Sequence, residues 1–363
     1  MIFVIIISAL IIVLYIFLNQ KKFGRKPSRK RLAITHNSPN FKDKQFQNLS
    51  PTPSFAEGVS MFSVLMEFIF KKGKRNKPVG IFPSIKTDLL SLHLHEDIIV
   101  WFGHSSYFLQ IDGKKILVDP VFSGAASPIK ATTRSFKGSD IYSAEDIPEI
   151  DYLFISHDHW DHLDYETILK LKPKIKTIIC GLGVAEHLEY WGYDPSIIIE
   201  KDWNETVNLG DNFVVNTTPA RHFSGRGFKR NQSLWMSFVL KTPSKNIYLG
   251  GDSGYDFHFK EIGNKFGPFD LAVIECGQYD KNWKYIHLLP EHMIPSAKDL
   301  KAKAVMPVHW GKFALANHDW DEPIIKISKN ATIENVPLIT PMIGEKINLN
   351  EEYTVVEWWK NVD

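Results

Sequence analysis

Hydrophobic and polar positions divide the chain into three unlike stretches. From Ile2 to Leu18 only Ser8 and Tyr15 interrupt an apolar run, and the run shows no polar face. A helix here spans about 25 Å, which suffices for a thin bilayer, so residues 1–19 are predicted as a single-pass transmembrane helix. A cleaved signal peptide would need a basic residue ahead of the run and a small-x-small cleavage site, and the chain has neither. Residues 20–55 are basic, then rich in Asn, Ser, Pro and Gln, and read as a solvated linker. Residues 56–96 hold a predicted helix around Val59–Phe70, a basic KKGKRNK loop and a Pro-containing stretch, together a lead-in expected to pack on the domain C-terminal to it.

From residue 97 the pattern changes to short apolar strands separated by turns. Ile98–Phe102 is the first, and Tyr107–Ile111 and Lys115–Val118 flank Asp112-Gly113, a hairpin signal. Further strands are predicted at Tyr152–Ile155, Thr177–Cys180, Ile197–Ile199, Thr206–Leu209, Asn212–Thr217, Ser233–Leu240, Asn246–Leu249, Leu271–Ile274 and Ala304–Pro307. Helices are predicted at Tyr165–Leu171, Gly183–Trp191 and Pro290–Leu300. Runs of strands with a few helices predict an α+β domain over 97–363, two stacked sheets with helices outside.

Composition and charge narrow the function. The 363 residues are 44% hydrophobic and 13% aromatic, which excludes global disorder. Two cysteines make neither a disulfide scaffold nor a Cys-rich zinc ribbon. The net charge of +2 conceals a split: residues 1–50 carry nine basic groups and one acid, so the rest is at −6. Positive charge after the apolar run places the N-terminus outside and the body in the cytoplasm of a cell membrane. The basic cluster suits anionic lipid head groups, whereas an acidic body argues against nucleic acid as a partner.

The chemistry sits in the histidines. Ser156-His157-Asp158-His159-Trp160-Asp161-His162-Leu163-Asp164 leaves a predicted strand with three histidines and three aspartates. Imidazoles and carboxylates at this density suit zinc or a similar divalent ion, and ligand type alone leaves iron and manganese open. His222, Asp252 and His309 also come after predicted strands, where loops converge on one edge of a layered sheet.

His157-x-His159-x-Asp161-His162 and then His222, Asp252 and His309 resemble the ligand set of the metallo-β-lactamase fold over roughly residues 97–345. The resemblance implies a four-layer αββα sandwich with two zinc ions. His157, His159 and His222 would hold one, Asp161, His162 and His309 the other, and Asp252 would bridge them. The segments Trp101–Ser106, Leu117–Ser123, Ala126–Pro128, Gly250–Tyr255, Tyr285–His287 and Val308–Gly311 are similar to the N-acylphosphatidylethanolamine-hydrolysing phospholipase D family. That similarity implies hydrolysis of a membrane phospholipid by metal-held hydroxide, with N-acylethanolamine and phosphatidic acid as products. The family's catalytic histidine falls on His287.

Other residues have roles that the sequence leaves open. Asp161 and Asp252 are candidates to orient the nucleophile, and Asp119, Asp164 and His104 to support the ligands from behind. Arg221 is a candidate phosphate contact and Tyr279 a candidate wall of a substrate cleft. Two other classes remain: a di-metal lactonase or amide hydrolase acting on a small soluble substrate, and a membrane-tethered metal-binding protein without activity.

Overall fold

The computed structural model describes residues 2–362 apart from 71, 72 and 74, so the basic KKGKRNK loop falls partly outside the described residues. Two mixed sheets face each other. The seven-stranded sheet runs Lys346–Asn348, Ile98–Trp101, Tyr107–Ile111, Lys114–Val118, Ile150–Ile155, Ile175–Gly181, Ile198–Lys201, antiparallel as far as Lys114–Val118 and parallel beyond it. The six-stranded sheet runs Val305–Val308, Leu271–Glu275, Asn246–Leu249, Ser237–Lys241, Phe213–Thr218, Thr206–Gly210. Asp112 and Gly113 both take positive φ, 48° and 75°, as a two-residue hairpin whose twist matches its strands requires.

Period-2 alternation explains the layers. In the seven-stranded sheet Ile99, Trp101, Leu109, Ile116, Val118, Phe154 and Ile179 turn toward the second sheet. Their neighbours Ile98, Val100, Phe108, Leu117, Leu153, Ile155, Ile178 and Cys180 turn outward. There they meet Ile168, Leu171, Ala185 and Leu188 of the helices Tyr165–Leu171 and Ala185–Tyr190. Helices His258–Phe266, Pro290–Asp299 and Glu322–Glu334 pack beside the six-stranded sheet through Phe259, Ile262, Met293, Ile294, Ile324 and Ile327. The predicted sandwich is thus present. The helices His258–Phe266 and Glu322–Glu334 and the edge strand Lys346–Asn348 are additions to the sequence reading, and the strand predicted from Ser233 begins only at Ser237.

The N-terminal 55 residues depart from expectation twice. Ile2–Leu18 does form a helix, with none of its residues buried, but it has 17 residues. Among the described residues no helix is long and apolar enough to cross a membrane. About 25 Å of helix falls short of a hydrocarbon core of about 30 Å, so the predicted transmembrane span is not supported.

Residues 20–55 are no solvated linker. They form a strap on the domain, with a helix at Arg29–His36 and a small hairpin, Phe41–Lys42 with Gln45–Phe46. Its charge is the reason. Arg31 pairs with Glu186, Glu189 and Glu200, and Arg25 with Glu186. Phe46 adds an apolar plug, fully buried in the core.

Candidate metal centre

Every candidate ligand leaves the C-terminal end of a strand, where backbone hydrogen bonding ends and side chains are free to converge. His104 comes after Ile98–Trp101, the segment His157–His162 after Ile150–Ile155, His222 after Phe213–Thr218, Asp252 after Asn246–Leu249 and His309 after Val305–Val308. The loops of His104 and His309 come from different sheets and are tied backbone to backbone. His309 N–H donates to the His104 carbonyl at 2.9 Å, and His104 N–H to the Trp310 carbonyl at 2.8 Å. His104, Asp119 and His309 all hold positive φ, 52°, 41° and 69°. Such backbone is costly for residues other than glycine and persists where surrounding structure enforces it.

Two donor groups match the expected ligand set, and a third among the described residues, Asp252, Glu275, His287 and His309, shares members with both. His157 Nε2 lies 2.9 Å from His159 Nδ1, which lies 3.2 Å from His222 Nε2. Asp252 Oδ2 stands 3.9 and 3.7 Å from the His157 and His222 nitrogens. The second group gathers Asp161, His162 and His309 together with His104, ligand atoms within 4.8 Å of one another. Asp252 joins the two: its Oδ2 is 3.2 Å from His162 Nε2 and its Oδ1 is 3.1 Å from His309 Nδ1.

The donors fit divalent cations. Burial pushes the His157, His159, His222 and His309 imidazoles down, His159 to about 4, so they stand neutral with lone pairs available. His162 goes the other way: against the effect of burial, the Asp252 and Asp161 carboxylates hold its proton on. A positive charge between these carboxylates is therefore favoured, which is what a metal ion supplies. Among the described residues, His162 Nε2 and Asp252 Oδ1 are buried with no hydrogen-bond partner, as two ligand atoms would be.

Behind the donors, Asp119 Oδ2 accepts at 2.8 Å from His162 Nδ1 and at 2.5 Å from the Ser156 hydroxyl, orienting the ring. His104 Nε2 lies 2.8 Å from Asp161 Oδ2, so it touches a ligand directly. Asp164 is elsewhere engaged. It accepts from the Thr167 hydroxyl and the Ser123 N–H, and no ligand imidazole bonds to it.

The two residues expected to touch substrate do not line the cavity. Arg221 spends its guanidinium on the Pro51 carbonyl, the Thr52 hydroxyl and the Tyr255 carbonyl, and so fastens the strap. Tyr279 is buried, donates at 2.8 Å to Glu322 Oε1 and stacks on His318. Both side chains found protein partners first, and sequence gave no sign of those partners.

His287 is in place beside the donors, its ring stacked on that of His309 at 5.2 Å. Its Nδ1 is 2.9 Å from Glu275 Oε2, a carboxyl that burial pushes well up. Glu275 escaped the sequence reading, although a carboxylate ending the apolar strand Leu271–Glu275 was a visible signal. Asn48 also escaped it, since nothing local marks an asparagine in a polar stretch.

The donors face a cavity of about 420 Å³. Phe55, Phe223, Trp283, Ile286 and Leu315 give it apolar walls, and Asn48, Thr52 and Ser54 bring the strap into its lining, with Arg230 exposed at the rim.

Comparison with known proteins agrees with this geometry. Residues 114–310 match the family described as a beta-lactamase superfamily domain. An uncharacterised Mycobacterium tuberculosis protein is 33% identical over 332 residues, 90% of this chain and 89% of its own. The Caenorhabditis elegans protein named N-acyl-phosphatidylethanolamine-hydrolyzing phospholipase D 1 is 31% identical over 268 residues, 68% of this chain and 74% of its own. Among solved structures Igni18, a metallo hydrolase of Ignicoccus hospitalis, superposes with a TM-score of 0.52 at 19% identity, covering 70% of this chain and 98% of its own, and so shares the fold. With its sandwich, its seven converging donors and these relatives, the chain belongs to the metallo-β-lactamase superfamily of metal-dependent hydrolases and is homologous to proteins named as N-acylphosphatidylethanolamine-hydrolysing phospholipases D.

Proposed function

We propose that the protein is a di-zinc phosphodiesterase of the phospholipase D type, which hydrolyses N-acylphosphatidylethanolamine to N-acylethanolamine and phosphatidic acid. The observation that carries this reading is the cavity. Donors joined through Asp252 open onto apolar walls that suit acyl chains, with the Arg230 cation at the rim to meet a phosphate. The name carried by the worm relative supports the same substrate class.

Two zinc ions held by His157, His159, His222, Asp161, His162, His309 and Asp252 would supply Lewis acidity and a nucleophile at neutral pH. The protein's own groups do the rest. Asp161, held in its ionised form by His162 and His104 against the effect of burial, keeps a fixed negative charge at the reacting face. Burial keeps the His287 imidazole neutral and the Glu275 carboxyl protonated, so Glu275 donates to Nδ1 and can replace the proton that the other ring nitrogen gives up. That proton goes to the departing oxygen of the N-acylethanolamine, so the phosphate stays with the diacylglycerol. Phe55, Phe223 and Trp283 exclude water from the acyl chains.

The membrane reading belongs to the same proposal. The exposed apolar helix Ile2–Leu18 embeds in the bilayer, Lys21 and Lys26 rest at the head groups, and the body works on the cytoplasmic side. Zinc-loaded protein assayed on N-acylphosphatidylethanolamine and on a panel of lactones tests the activity. N-acylethanolamine and phosphatidic acid are expected, and lactone turnover without phospholipid cleavage overturns the assignment. Anomalous scattering at the metal edges should show two zinc ions per chain.

A further inference from the structure

The strap reaches the metal centre. Two residues after the buried plug Phe46, Asn48 brackets the backbone of His222 from both sides. Its side-chain N–H donates to the His222 carbonyl at 2.8 Å, and its Oδ1 accepts the His222 N–H at 3.0 Å. The same Oδ1 accepts from the Trp235 indole at 2.9 Å, which fixes the amide orientation. The His222 ring is held independently, its Nδ1 lying 2.8 Å from the Ile286 carbonyl, so that Nε2 turns to His159. Beyond Asn48 the chain lines the cavity with Thr52, Ser54 and Phe55. The segment is fastened at both ends, by Arg31 on three glutamates and by Arg221 on Pro51 and Thr52.

We propose that Asn48 is a positioning residue of the metal centre. By gripping the His222 backbone it fixes the point from which the ring projects, so the N-terminal strap, remote in sequence from every donor, braces the loop that carries one of them. His222 sits on a loop after its strand, with no ladder to hold it. A paired amide on both its backbone groups removes the freedom that a ligand residue must not have. The inference rests on the metal reading of the site.

Zinc affinity is the readout, measured by competition with a chelator on the full-length chain. Asn48→Ala should bind zinc about 10- to 100-fold more weakly, the range seen when a group supporting a ligand is removed. Asn40→Ala is the control, for Asn40 lies on the same strap but bonds Asp202, away from the cavity. It should bind like the parent. Equal affinity in Asn48→Ala and the parent overturns the inference, whereas a parent that binds no zinc overturns the metal reading itself. Should Asn48→Ala fail to fold, hydrogen exchange on the parent decides. Adding zinc to the chelated protein should slow exchange of the amides at 46–50 together with those around His222, and no change at 46–50 sinks the proposal.

Discussion

Asp252 touches both donor groups, so its loss should be felt at both. Removing a group that supports a ligand costs roughly 10–100-fold, and removing a shared ligand should cost more. Asp252→Ala is therefore expected to lower turnover by more than about 100-fold and the zinc content below two per chain; full activity would refute the shared-ligand assignment. His287 gives the complementary case. It lies beside the donors but is engaged by Glu275, so His287→Ala should keep its zinc while kcat falls by roughly 10²- to 10⁴-fold, the range of a lost proton donor. Zinc loss in step with activity would make His287 a ligand instead. At this scale the sequence was most readable where chemistry concentrates in a few neighbouring positions, as in His157–His162. It was least readable for Arg221 and Tyr279, whose side chains found partners far along the chain, Pro51 and Glu322, and for Asp164, which is taken up by Thr167 of its own helix start and by Ser123.

The elements divide in the same way. The strands around the site announced themselves through apolar runs and the Asp112-Gly113 turn, because strand and hairpin signals are local. The strap was read as a linker because what holds it is non-local ion pairing, to which hydropathy is blind. Its clamp makes a prediction. Although burial opposes it, the Ser28 N–H and the Arg25 guanidinium hold the Glu186 carboxyl below its usual range. A carboxyl depressed on folding adds stability above its unfolded pKa of about 4.3, and that stability fades as pH falls through the folded value. Arg25→Ala should then cost about 1 kcal/mol at pH 7, below the usual worth of a hydrogen bond to a charged group because this arginine is half exposed, and the difference from the parent should shrink in acid. Thermal unfolding at pH 7 and at pH 3 measures this; an equal deficit at both would show that charge is not what holds the strap.

For the whole molecule, the charge split and the exposed helix pose a question of magnitude. The exposed basic residues after Leu18 that the body does not engage, such as Lys21 and Lys26, would each contribute about 1 kcal/mol at an anionic surface, a contribution that salt screens. The apolar side chains of Ile2–Ile16 are exposed, and burying a large aliphatic side chain is worth at least about 1.5 kcal/mol. The seven isoleucines of the helix alone then supply on the order of 10 kcal/mol, so insertion outweighs the basic cluster. The protein should accordingly stay on vesicles in 1 M salt, on neutral as well as anionic lipid, and deletion of residues 1–18 should release it. Because that helix contributes no donor and no wall to the cavity at the metal centre, the deleted protein should keep its rate on a short-chain soluble diester while losing rate on vesicles. Release of the full chain by salt alone would reverse the ranking and leave the basic cluster as what holds it.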